Sequence, residues 1–156
     1  MAEIIADPGF GSFGRAGSRW EAESHVTVVH RASVDGEILR IDQSGATGIG
    51  WHGELRYAPF PVRRGDRFDV SFSARFTGTA RLGVWIGQYR KPWRSLLPAA
   101  GRFDGRELGS EWGDFAFRAE IVADEPAARL NFVFGERDGT FFLRRPSVRA
   151  IAAAAA

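Results

Sequence analysis

From Arg67 to Phe76 apolar and polar side chains alternate without interruption. Phe68, Val70, Phe72, Ala74 and Phe76 share one parity, and Arg67, Asp69, Ser71, Ser73 and Arg75 share the other. A period of two over that length is the pattern of a strand with one face in a core and one in water, and it fits no helix. Gly65-Asp66 punctuates its start as a turn. The same parity recurs at Leu82, Val84 and Ile86 around Trp85, at Phe115, Phe117, Ala119 and Ile121, at Leu130, Phe132 and Phe134, and at Phe141 and Leu143 before Pro146. Weaker strand signals lie at Val26 to Val29, Ile38 to Ile41 and Ile49 to Tyr57. No segment carries a helical stripe. Thirteen Phe, five Trp and nineteen Gly suit strands joined by tight turns. The stretch Lys91 to Gly109, broken by Pro92 and Pro98, is expected to be one long loop. The 156 residues predict one all-β domain, a sandwich or barrel, spanning 1–150. An Ala-rich tail over 151–156 reads as a linker stub.

Several function classes are excluded at this level. With no cysteine, disulfides and thiolate metal sites are absent. His25, His30 and His52 lack ligand spacing, and the first two, five apart, would point to opposite faces of a continuous strand. There is no Gly-x-Ser-x-Gly elbow and no phosphate loop. Asp104 with Glu107 and Glu120 with Asp124 fall in turns and at strand ends, where solvated charge is the simpler account. No catalytic residue, no metal ligand and no cofactor is therefore expected. A net charge of +2 without a run of like charges argues against nucleic acid. No stretch is long and apolar enough to cross a membrane as a helix, and the N-terminal residues lack the pattern of a signal peptide. The expected setting is extracellular or periplasmic, as part of a larger protein. Lys91 is the only lysine among 21 basic residues. That bias reflects either genome composition or a surface suited to carboxylates and phosphates.

Four stretches, in order, carry a family resemblance. Asp7-Pro8-Gly9-Phe10 with Trp20 opens it. Trp51-His52-Gly53-Glu54-Leu55 and Gly65 to Arg75 form its centre. Glu111-Trp112 through Phe117 follows, and Ala128 to Gly135 with Phe141 to Val148 closes it. Together they resemble the family 4/9/22 group of carbohydrate-binding modules over about residues 3 to 149. The resemblance implies a jelly-roll β-sandwich of two antiparallel sheets that binds carbohydrate non-catalytically through an aromatic-lined groove. It also implies a polysaccharide or oligosaccharide partner, β-glucan- or xylan-like, and a link to a glycoside hydrolase. Where such modules hold calcium, this chain has Gly11 and Arg144. Arg144 is expected to replace the ion, pairing with Asp7 or nearby carbonyls.

Sugar faces stack on flat rings while their hydroxyls need polar edges. Trp85 lies off the core parity, and Gly83 and Gly87 are expected to leave its indole uncrowded. Trp51 and Glu54 match the family's stacking and hydroxyl-binding pair; by alternation Trp51 points inward unless it sits ahead of the strand. Gln88, Tyr89, Trp93 and Arg94 end the Trp85 strand and enter the following loop, and Asn131 faces away from Leu130 and Phe132. These eight residues are the candidate ligand-binding set. Trp20 and Trp112 are expected in the core, as are the Phe residues on strand parity. Two other readings stay open: an interaction or assembly domain with a repurposed groove, and an acidic polysaccharide held by Arg56, Arg75 or Arg94.

Overall fold

A computed structural model describes residues 2–100 and 102–152. It contains ten strands: β1 (Trp20–Ser24), β2 (Val29–Asp35), β3 (Ile38–Ser44), β4 (Gly53–Val62), β5 (Arg67–Phe76), β6 (Ala80–Gln88), β7 (Phe103–Leu108), β8 (Gly113–Glu120), β9 (Glu125–Val133) and β10 (Gly139–Ala150). A single 3₁₀ turn, Gly50–His52, precedes β4. The strands form two five-stranded sheets, ordered β1-β4-β9-β6-β7 and β2-β3-β10-β5-β8, with antiparallel pairing throughout. From β4 to β6 and again from β7 to β10 the chain passes back and forth between the sheets, giving the jelly-roll sandwich. None of the described helical segments is long and apolar enough to cross a membrane.

The alternation in β5 is realised as read: Phe68, Val70, Phe72, Ala74 and Phe76 are all buried. Phe72 meets Phe132 of the opposite sheet edge-on at 5.2 Å between ring centres. Phe134, just past β9, stacks on Phe141 of β10 at 4.2 Å. These contacts bind the two layers together, because apolar area leaves water on both sides at once. Trp20 is core as expected, wedged between Phe10 and Tyr57 at 4.9 Å from each, and its Nε1 donates to the Asp7 carbonyl at 2.9 Å.

Several expectations are corrected. Lys91 to Gly109 is not one loop. Gln88 N donates to the Arg94 carbonyl and Leu96 N to the Ile86 carbonyl, both at 2.9 Å, so β6 runs into a tight hairpin; β7 then pairs back onto β6. The strand β7 was hidden because only its ends, Phe103 and Leu108, are buried, and its ladder with β6 is interrupted between Leu82 and Val84. Val26–Val29 is mostly the turn between β1 and β2, so His25 and His30 never share a strand. Phe115 and Phe117 face inward on the edge strand β8 and are only half-buried. Trp112 is not core: it precedes β8 on the outer parity, beside Arg75. Arg144 does not reach Asp7. Its guanidinium lies 4.0 Å from the Trp112 ring on the outer face of the second sheet, while the Asp7 carboxylate accepts from the amides of Gly11 and Ser12 at 2.9 and 2.8 Å. Those bonds, with the Ser12 hydroxyl, hold Asp7 below the usual carboxylate range against the opposing effect of burial, the largest single influence. At the C-terminal end, Ile151 N still donates to the Arg67 carbonyl at 2.8 Å; residues 153–156 of the expected tail lie outside the described residues.

Candidate functional site

The outer face of the first sheet is built from the residues that alternate with its core. In β4 these are Glu54 and Arg56, in β9 Arg129, Asn131 and Val133, and in β6 Gly83, Trp85 and Gly87. The register sets them in rows. Glu21, Arg56, Asn131 and Trp85 form one row; Glu23, Glu54, Val133 and Gly83 form the next; Arg129 lies opposite Gly87. Over these rows runs a groove of about 780 Å³, within the usual size of a ligand pocket.

Aromatic rings mark its length. Trp51 sits on the 3₁₀ turn ahead of β4, which resolves the parity conflict: the turn rotates the indole out of the core, and it is 54% exposed. Its ring rests edge-on against His52 at 4.3 Å and His25 at 5.3 Å. His52 is itself buried and bonded to the Thr47 hydroxyl at 2.7 Å. The turn is clamped against the end of β9, where Gly135 N donates to the Gly50 carbonyl at 2.7 Å. A Cβ at Gly135 would fall 2.6 Å from that carbonyl oxygen and 2.3 Å from Gly53 N, so only glycine permits this seat.

At the other end, Trp93 caps the hairpin after β6 and is 44% exposed. The hairpin is tied down by Arg90, whose Nε and Nη2 donate to the two oxygens of the buried Glu125 carboxylate at 2.8 and 3.0 Å. That bidentate pairing raises the Arg90 pKa above its ordinary value. Between the ends lies Trp85. It does face outward, but it is half-buried, not free-standing. A Cβ on Gly87 would come within 2.2 Å of the indole, so the glycine provides the seat on which the ring lies. Arg129 then crosses from β9, its guanidinium carbon 4.7 Å from Trp85 and 5.3 Å from Trp93. Tyr89 lies beneath Arg56 at 5.1 Å.

The floor is polar and largely dry. Glu54 is 4% exposed and Asn131 fully covered; the Asn131 amide donates to Glu54 Oε1 at 3.0 Å. Glu54 Oε2 faces His25 Nε2 at 3.3 Å and Arg129 Nη1 at 3.9 Å. Glu23 pairs with Arg56. Burial pulls the Arg129 guanidinium below its ordinary pKa, with Glu54 opposing that shift. Asn131 Oδ1, Arg129 Nε and Arg56 Nε are shielded from water and have no partner among the described residues. Such groups are normally satisfied by water or by a ligand. Glu23, His25 and Glu54 offer ligand atoms within 4.8 Å of one another. Arg56 and Arg129 already neutralise those carboxylates, so the arrangement reads as an ion-pair network.

Of the eight sequence candidates, Trp51, Glu54, Trp85, Tyr89 and Trp93 line the groove. Asn131 lies on its floor and supports Glu54. Gln88 and Arg94 are not brought to it: they close the hairpin together, Arg94 N donating to Gln88 Oε1 at 3.1 Å. Arg129, Glu23 and His25 were missed. Arg129 shares the parity of Asn131, and that signal was available in the sequence. Glu23 and His25 reach the site only through the β1–β4 pairing, which no local pattern announces.

By sequence, no family model and no curated protein matches the chain. By structure it resembles a CBM4 structure (TM-score 0.73, 19% identity, covering 91% of this chain and 98% of that one). It also resembles the second N-terminal cellulose-binding domain of Cellulomonas fimi β-1,4-glucanase C (TM-score 0.62, 20% identity, 97% and 100% covered). A third likeness is to the CBM22-1 xylan-binding domain of Paenibacillus barcinonensis Xyn10C (TM-score 0.56, 13% identity, 86% and 87% covered). The chain has the jelly-roll fold of carbohydrate-binding modules.

Proposed function

We propose that this domain binds carbohydrate without transforming it, holding a neutral β-linked glucan- or xylan-type chain in the groove of the first sheet, as a module serving a polysaccharide-degrading enzyme outside the cytoplasm. The observation that carries this reading is the convergence of Trp51, Trp85, Tyr89 and Trp93, from the turn before β4, from β6 and from its hairpin, onto one groove with a polar floor. Rings of this kind cover the apolar faces of pyranoses at small entropic cost. The carboxylate and guanidinium groups that line the groove suit hydroxyls, which both donate and accept. Similar solved structures include cellulose- and xylan-binding domains, which supports the same ligand class here. Glu23 is held by Arg56, and Glu54 by Asn131 with Arg129, an arrangement that fixes these polar groups to orient a ligand. Four carboxylates (Glu23, Glu54, Asp104, Glu136) face three guanidinium groups (Arg56, Arg81, Arg129) along the groove, a balance that favours a neutral chain over an acidic one.

Trp51→Ala tests this directly. Because the ring is 54% exposed, its loss leaves the unfolding midpoint nearly unchanged. Glycan affinity falls about tenfold, or ~1.4 kcal/mol, read by electrophoresis through gels containing β-glucan or xylan. Undiminished retardation of the variant contradicts the assignment.

A further inference from the structure

The second sheet carries a different surface on its outer face, on the far side of the sandwich from the groove. Arg40 of β3 lies opposite Phe142 of β10, and Phe142 opposite Arg75 of β5. Trp112 continues the row, one residue before the Gly113–Ala74 pair. The guanidinium carbons of Arg40 and Arg75 lie 5.8 and 3.9 Å from the Phe142 ring centre. Those of Arg75 and Arg144 lie 5.5 and 4.0 Å from Trp112. Cation and ring thus alternate across the sheet. Stacking orders a guanidinium on its flat side and leaves its N–H edges for an acceptor.

Those edges are mostly unclaimed. Arg40 pairs with Asp42 at 3.1 Å, while among the described residues Arg75 donates only to the Ser110 carbonyl, at 3.3 Å. Among the described residues neither Arg75 nor Arg144 takes part in an ion pair. Arg144 Nε is shielded from water and has no hydrogen-bond partner among the described residues. The other acids near this face are Asp114, engaged by Ser73 and Arg145, Asp69, engaged by Arg118, Glu120 opposite Arg67, Asp35 at the sheet edge, across from Ile38, and exposed Glu111, next to Trp112 in the chain.

We propose that this arginine–aromatic ladder is a second binding surface, for an acidic polysaccharide whose uronate carboxylates are taken by Arg40, Arg75 and Arg144. Asp42 pairs with Arg40 and Asp114 with Arg145, so among the described residues Arg75 and Arg144 supply the unpaired complementary charge. The guanidinium fork matches a carboxylate in two hydrogen bonds. Phe142 and Trp112 are flanked by cations, so they order the arginines and offer no stacking platform for nucleic-acid bases. The row runs across three neighbouring strands, β3, β10 and β5, and on to Trp112, a linear track for an extended chain. Only the choice of polysaccharide over another polyanion rests on the function proposed above.

Calorimetry with polygalacturonate, a neutral β-glucan oligosaccharide and duplex DNA, at low salt and at about 0.2 M salt, decides the matter. The expected result is polygalacturonate binding that weakens roughly tenfold or more with salt. It is lost to a similar extent in Arg75→Gln and in the combined Arg40→Gln/Arg144→Gln variant, and kept in Trp51→Ala. The ladder variants keep neutral glucan binding, which shows that they are folded. Absent polygalacturonate binding overturns the proposal. So does its loss in Trp51→Ala, which would place the acidic chain in the groove, or tighter binding of DNA through the same arginines. A failure of the groove reading looks different: no neutral glucan binds the wild type, whatever the ladder variants do, and near-ultraviolet circular dichroism then reports their folding.

Discussion

Glu54→Ala abolishes glycan binding and destabilises the domain by roughly 3–5 kcal/mol. Glu54 is 4% exposed and is the acceptor around which the groove floor is organised. Removing it strands the Asn131 amide, bonded to it at 3.0 Å, and leaves Arg129, 5% exposed, without the carboxylate at 3.9 Å. An uncompensated buried cation is among the largest penalties a single substitution produces. Arg129 would turn toward solvent, and in doing so would leave the indoles of Trp85 and Trp93 that it now bridges. Stability and binding therefore fall together. Glu54→Gln separates them: its carbonyl can still accept from Asn131, so it destabilises less while still lacking the charge that opposes Arg129. Urea unfolding, followed by tryptophan fluorescence, measures the first effect, and glycan titration the second. A Glu54→Ala protein as stable as wild type would show that the floor is not the ion-pair network described.

The second large effect lies in the core. Phe132→Ala lowers unfolding stability by roughly 3–5 kcal/mol. Phe132 is completely buried in β9, the middle strand of the first sheet, and its ring meets Phe72 of the opposite sheet at 5.2 Å. Truncation removes both the transfer energy of the ring and its contacts, and leaves a cavity between two sheets whose backbones are pinned by their ladders. Collapse into that space is restricted, which places the value toward the upper end. The neighbouring residues Asn131 and Val133 point into the groove side, so any glycan binding that survives in the folded fraction should be close to that of wild type. A loss below about 1 kcal/mol in urea would mean that the sheets do not pack through this ring.

Which parts of this were legible in the sequence follows from how local each signal is. The inward parity of β5, β6 and β9 could be read directly, because one face of each is continuously apolar, and from it came the correct outward placement of Trp85. The strand β7 could not: four of its six residues are exposed, and Asp104-Gly105 mimics a turn. Trp51 was ambiguous because alternation fails when a 3₁₀ turn interrupts it. Trp112 was misplaced because an aromatic beside a strand start looks like core until the register sets it beside Arg75. Trp85 was placed by parity, Tyr89 and Trp93 by their chemistry in the hairpin, and Trp51 by the family resemblance against its parity. Of the site's electrostatic floor only Glu54 and Asn131 were read; Glu23 of β1, His25 just after it and Arg129 of β9 meet Glu54 only through pairings between distant segments. The same holds for the ladder, where Arg40, Phe142 and Arg75 become neighbours only across β3, β10 and β5.

The five tryptophans provide the most direct test of the central claim, that neutral glycan lies in the groove of the first sheet. Their indole N–H resonances, followed by NMR during titration with a neutral β-linked oligosaccharide, report five distinct places on the molecule. Trp51, Trp85 and Trp93 should shift together and saturate at one concentration, while buried Trp20 and Trp112 on the far sheet stay still. Movement confined to Trp112, or no movement at all while the oligosaccharide binds, would contradict the account.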